Sequence, residues 1–167
     1  MTTQPLPAAA PYVTFYDYVV YDFFQKMTPE LCEKVIDFWK RNQALPAGAE
    51  PAKRAMQVAL MTFRKTGELA GVSTVYEGEI EGIPDRHYFY RMFIQPADRV
   101  AELMRVMTIS TYEILKALQR PDKPKSFIIV SENLKLMRPG LVEKFRKNGY
   151  IIIGKNRAGH DVVQKVF

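Results

Sequence analysis

The chain has 167 residues, 47% of them hydrophobic and 12% aromatic, with a formal charge of +6 and a pI near 9.4. That is enough apolar material for one domain with a sizeable core, and it excludes disorder of the whole chain. Cys32 is the only cysteine, which excludes an intrachain disulfide and a metal centre built on several thiolates, and the basic balance favours phosphates or acidic partners without choosing among them.

Residues 1–11 hold three prolines and three consecutive alanines and are expected to form a flexible arm outside the fold, with a single domain over residues 12–167. The arm lacks the basic and apolar regions of a secretory signal. Apolar runs such as 127–130 and 150–153 are too short to cross a bilayer, so a cytoplasmic protein with no membrane partner is expected. The aromatic and β-branched density of residues 12–24 predicts a strand. Thr28, Pro29 and Glu30 then read as an N-cap with proline at the first helical position, opening a helix to about Asn42. Residues 43–54 form a connection of unusual length. Residues 57–64 and 69–76 predict an antiparallel hairpin around Gly67, followed by a loop carrying Gly78, Gly82 and Pro84.

Residues 86–95, the densest aromatic segment, predict a central strand that Pro96 ends, because proline cannot donate to a ladder. Asp98 is read as the cap of a long helix to about Gln119 with Val100, Leu103, Met104, Met107, Thr111, Ile114, Leu115 and Leu118 on its apolar face. Residues 126–131 have the continuous apolar character of a parallel strand buried on both faces. A helix over most of 134–147, interrupted or restarted at Pro139-Gly140, is expected to end at Asn148-Gly149, and residues 150–154 and 161–167 to close the chain as a hairpin. The element order makes an α/β protein with a mixed central sheet flanked by helices.

This order, with Pro96-x-x-Arg99 between strand and long helix and the closing run Lys144-Phe145-Arg146-Lys147-Asn148-Gly149-Tyr150, resembles the GNAT superfamily of N-acetyltransferases over residues 12–167. The resemblance implies the acyl-CoA N-acyltransferase fold and acetyl-CoA as cofactor. It places the cofactor at Phe93, Ile94, Arg99, Val100, Ala101, Glu102 and Leu103, where a helix start offers unpaired N–H groups to a pyrophosphate. The family pattern of Gln or Arg, two residues, Gly, one residue, Gly or Ala is not kept. Aligned on Arg99, both small positions are lost, and Glu102 sets a carboxylate beside the expected phosphates at a cost of about 1 kcal/mol even in water. The tyrosine that in the family protonates the leaving thiolate corresponds to Phe145, which cannot donate a proton.

For the remaining chemistry, His87 is the candidate base, since histidine titrates nearest neutrality, with Tyr88 or Tyr90 in a water chain and Tyr150 as substitute acid. A strand-end histidine without a catalytic role is the competing reading of His87. No metal site is expected from two isolated histidines. Two functions follow: an N-acyltransferase acting on a small amine, a protein lysine or a charged tRNA, or an inactive relative kept as a binding or structural module, for instance on a phage or virus particle or as a regulator of another protein. The aromatic belt of Tyr12, Phe15, Tyr16, Tyr18, Tyr21, Phe23 and Phe24 is a candidate protein-partner surface, with a core strand wet on one face as the competing reading. Nucleic-acid binding is disfavoured, because no ordered RNA-binding motif occurs.

Overall fold

The aromatic run at 12–24 supplies two strands rather than one. In the computed structural model, which describes residues 4–131 and 139–167, it is a hairpin of β1 (Val13–Phe15) and β2 (Tyr18–Asp22) with Phe15 opposite Tyr18. The chain reverses at Tyr16, whose φ of 50° is a left-handed conformation that tyrosine rarely adopts and that glycine or asparagine would have announced. Helix α1 (Pro29–Arg41) starts as expected, with the Leu31 N–H donating to Thr28 Oγ1 at 3.3 Å. The long connection contains a short helix, α2 (Pro51–Ala55), which the small residues around it had hidden.

Strands β3 (Val58–Arg64), β4 (Leu69–Ile80) and β5 (Ile83–Ile94) follow. Gly78, expected in a loop, lies inside β4. A Cβ there would stand 3.0 Å from Cε2 of Phe89, so the missing side chain makes room for a ring that also stacks on Tyr76 at 5.1 Å. After a single 3-10 turn at Pro96–Asp98 come α3 (Ala101–Lys116), β6 (Ser126–Ser131), α4 (Pro139–Lys147), β7 (Ile151–Lys155) and β8 (Asp161–Val166). The stretch 134–138 of the expected last helix lies outside the described residues, as do residues 1–3 of the expected arm. Gly149 takes φ +86° at the end of α4, the position where glycine meets least steric cost.

The sheet order is β1-β2-β3-β4-β5-β6-β8-β7, with β5 and β6 parallel. Among the described residues no helix is long and apolar enough to cross a membrane. The chain divides into two compact units, one comprising residues up to Val75 with Met92–Leu115, the other Tyr76–Arg91 with the described part of Lys116–Phe167.

In the first unit, strand alternation sends side chains to two cores. Val19, Tyr21, Met61 and Phe63 meet Val35, Phe38 and Trp39 of α1, and Leu6 from the segment ahead of β1 joins them. Val20, Leu60 and Ile94 meet Leu103 and Met107 of α3. Fully burying each such side chain contributes about 1.5–3 kcal/mol, which fixes α3 against the strand that precedes it. In the second unit Tyr88, Tyr90, Phe127, Ile128, Tyr150, Val162 and Val163 are buried, with the Tyr90 and Phe127 rings 4.9 Å apart.

Candidate functional site

In the first unit, the step from β5 into α3 is held by a buried carboxylate. Asp98 does not cap the helix, as its sequence position suggested. It is 2% exposed and receives Nε and Nη2 of Arg64 at 2.8 and 2.9 Å, the Tyr18 hydroxyl at 2.7 Å, and the amide of Gln95. Burial opposes ionisation of Asp98, yet the hydrogen bonds from Arg64, Gln95 and Tyr18 outweigh it and hold the carboxyl below its ordinary value of 3.8. Burial, followed by the bond to Asp98, raises the Tyr18 hydroxyl. Its own hydrogen bonds to Asp98 raise the Arg64 guanidinium. Strands β2 and β3 are thereby tied to the loop, and no local signal could have named Tyr18 or Arg64, which lie 80 and 34 residues away.

With Asp98 occupied, Val100 stands at the capping position, and its carbonyl accepts the N–H groups of Leu103 and Met104 at 3.1 and 3.3 Å. Among the described residues the N–H groups of Ala101 and Glu102 have no acceptor, so the positive end of a 16-residue helix dipole opens outward. Arg99, Val100, Ala101 and Glu102 are all exposed. Arg99 is exposed, donates Nε to the Ile94 carbonyl at 2.8 Å and lies 5.4 Å over the Phe93 ring, and it has no ion pair among the described residues. Glu102 is drawn along the helix to Arg105 at 3.5 Å.

Of the residues expected around a cofactor, Leu103 and Ile94 are withdrawn from solvent. The Leu103 side chain is fully buried and its N–H already bonded, while Ile94 is 4% exposed with its carbonyl committed to Arg99. Helical periodicity explains Leu103, the first residue of α3 to face the sheet. Arg99, Val100, Ala101 and Glu102 remain as a contiguous exposed set.

The expected catalytic residues fall in the second unit. His87 is 2% exposed, with Nδ1 2.7 Å from Ser126 Oγ and Nε2 3.2 Å from the Pro84 carbonyl. Because a carbonyl can only accept, Nε2 donates to Pro84, and in the tautomer protonated at Nε2 alone Nδ1 accepts from Ser126, whose oxygen in turn accepts the Gln164 amide at 2.8 Å. This chain of donors and acceptors runs one way from β8 through β6 to β5, and both ring nitrogens are committed. It sits one step before the parallel pairing Tyr88↔Phe127, Phe89↔Ile128, Tyr90↔Ile129.

Tyr88 is 2% exposed, and its hydroxyl accepts from Arg120 at 3.3 Å. Burial raises it, and the Arg120 charge opposes that rise without cancelling it, so the phenol is protonated at neutral pH. Arg120 also holds Glu77 at 2.6 Å and Asp122 at 3.1 Å. Tyr90 and Tyr150 are buried; the Tyr150 ring meets Phe145 edge-on at 5.6 Å, and the Lys165 ammonium lies 5.2 Å over it. A cavity of about 540 Å³ in the same unit is lined by Pro84, Asp85, Arg86, Asp122, Lys123 and Lys125 among others, and none of these four expected catalytic residues lines it.

No family model matches the sequence, and the search of curated proteins finds no match. Solved structures do match. A GNAT-family acetyltransferase from Streptococcus pneumoniae superposes with a TM-score of 0.60 at 11% identity, covering 90% of this chain and 99% of its own. One from Listeria monocytogenes gives 0.61 at 16%, covering 90% and 95%. The ribosomal-protein-S5-alanine acetyltransferase of Vibrio fischeri gives 0.61 at 12%, covering 92% and 95%. Strand order, the parallel β5–β6 pair and the helix between them agree with these likenesses: the chain has the acyl-CoA N-acyltransferase fold of the GNAT superfamily.

Proposed function

We propose that the protein is an acyl-CoA-dependent N-acyltransferase whose cofactor phosphates are held at the start of α3. The observation that carries this reading is the exposed, unpaired N–H pair of Ala101 and Glu102 directly after β5, in a chain with this fold. Two backbone donors and a helix dipole end accept a phosphate without a glycine, provided no side chain covers them. Val100 and Ala101 leave them open, and the Glu102 carboxylate is held toward Arg105. Arg99, braced on Ile94 and Phe93, presents its terminal nitrogens as phosphate donors. Acetyl-CoA fits this set, and when bound it supplies the thioester to be attacked.

The protein's own part in proton transfer is narrow. His87 has no free ring nitrogen, and Tyr88 is protonated and held in an ionic network. Without a strong base, the acceptor best matched is an α-amine, with an ordinary pKa of about 7.7–8.0, rather than a lysine near 10.4. Tyr150 is the candidate donor to the leaving thiolate, in the role that Phe145 cannot fill.

Calorimetric titration with acetyl-CoA and CoA tests the reading. Saturable heat with a Kd on the order of 1–100 µM is expected. Absence of heat and of any thermal shift at millimolar ligand would make the chain a non-catalytic binding module. Acetylation of a peptide α-amine in preference to its lysine ε-amine, with loss of turnover in Tyr150→Phe, is the second expected result.

A further inference from the structure

The second unit carries a sheet edge that no other described residue pairs, in a basic setting. Strand β7 is the last in the sheet order and, among the described residues, is paired on one side only, with β8. Ile151 and Ile152 are 54% and 46% exposed. Consecutive side chains on a strand point to opposite faces, so exposure of both means that neither face of the edge is covered there. Natural edges are blunted by charges, bulges or covering elements. Here the register shift between Ile152 and Gly154 shortens the flat edge, yet its flat part is where the isoleucines stand.

The surroundings select the partner's sign. Residues 116–167 hold 12 of the 24 lysines and arginines against four acidic residues. Lys144 and Lys147, exposed on α4, have no ion pair among the described residues, and α4 runs directly into β7, with the Tyr150 N–H donating to the Phe145 carbonyl at 2.9 Å. Beyond the other end of β7, Arg157 is 97% exposed and, among the described residues, pairs with the open Glu81 at 3.8 Å. A second copy added antiparallel on this edge would bring the Arg157 end of one strand to the Lys144 and Lys147 end of the other, like charges on like. A nucleic acid would lay phosphates over exposed isoleucines, and no exposed aromatic ring stands on β7 to stack a base.

We propose that β7 is a docking edge for a partner protein that adds an extended, acidic segment with alternating apolar side chains. Main-chain hydrogen bonds to β7 would supply pairing, Ile151 and Ile152 the apolar contact, and Lys144, Lys147 and Arg157 the charge selection. The inference is independent of the acyltransferase reading, since no residue of the α3 start takes part.

The test uses the full chain and three labelled probes in fluorescence anisotropy: a ten-residue peptide of alternating valine and glutamate, the same peptide with lysine for glutamate, and a 20-nucleotide poly(U) RNA. The acidic peptide is expected to bind with a Kd of about 10–100 µM, to weaken as salt rises, and to slow amide exchange at residues 151–153. Lys144→Glu with Lys147→Glu, on exposed side chains, is expected to weaken it at least tenfold, as is Ile151→Glu, while the fold is kept by circular dichroism. No binding of the acidic peptide at 1 mM, tighter binding of the lysine peptide or the RNA, or binding that leaves exchange at 151–153 unchanged would overturn the proposal.

Discussion

Strand β5 meets a different kind of buried polar cluster near each of its ends. Past its C-terminal end, in the first unit, Asp98 is charged and is held by Arg64, Gln95 and Tyr18. Near its N-terminal end, in the second unit, Gln164, Ser126, His87 and the Pro84 carbonyl form a chain that needs no ion pair. Both clusters satisfy groups that burial would otherwise penalise, but the first is an ion pair and the second joins its groups by hydrogen bonds without a carboxylate or guanidinium. The Asp98 cluster fixes the loop that the proposed cofactor would touch, whereas the His87 cluster ties β8, β6 and β5 together.

The sharpest way to break the comparison is Asp98→Ala. Removing one partner of a buried pair commonly costs 3–5 kcal/mol, and because Arg64 keeps Glu68 and a third of its exposure, a loss of about 3 kcal/mol in urea denaturation is expected. Ser126→Ala should cost less, about 1–3 kcal/mol, since it strands His87 Nδ1 and the Gln164 amide without exposing a charge; an equal or larger loss than Asp98→Ala would invert the ranking.

Acid separates the clusters further. The carboxyl of Asp98 is depressed in the folded state, so its contribution is present above the unfolded value and is lost as pH falls through the folded value. Stability should therefore drop below about pH 4, more steeply in the wild type than in Asp98→Asn, whose folded state has no carboxylate at 98 to protonate. Matching slopes in pH-dependent unfolding would show that Asp98 does not carry this loss.

Two substitutions at the α3 start probe binding rather than folding. Arg99→Ala should weaken CoA by about fivefold, the worth of roughly 1 kcal/mol of charge-assisted contact, with stability unchanged within about 0.5 kcal/mol. Glu102→Gln should tighten CoA by up to about fivefold, since a nearby like charge costs about 1 kcal/mol in water. No change in either affinity would place the phosphates elsewhere.

Much of the fold was legible locally. The α1 cap at Thr28, the glycine turn after α4 and the closing hairpin rest on interactions between near neighbours in sequence and occur as read, and the continuous apolar run 126–131 marked β6, which is parallel to β5 and antiparallel to β8. The β1–β2 reversal was not legible, because Tyr16 adopts its left-handed conformation under the pairing of β2 with β3 rather than from its own preference. Gly78 misled for a related reason: its role is to receive the Phe89 ring, a neighbour across the sheet.

At the candidate site, the sequence singled out Arg99 through Glu102 and the β5 residues His87, Tyr88 and Tyr90 by position alone. It could not name their partners. Asp98 looks like a helix cap in any local window, and only the meeting of β2, β3 and the loop reveals an ion pair. His87 looks like a base until Ser126, 39 residues on, takes one nitrogen and the Pro84 carbonyl the other.

Residue preference and periodicity by themselves determined α1, α3, most strands, the order of these elements and the excess of positive charge towards the C-terminus, but not the β1–β2 split or α2, because only the former arise within a few residues or from composition. Which side chains meet was decided only by the tertiary structure. A one-residue slip in register turns every side chain of a strand to the other face, and the energy that selects one register is spread over the whole sheet and its cores.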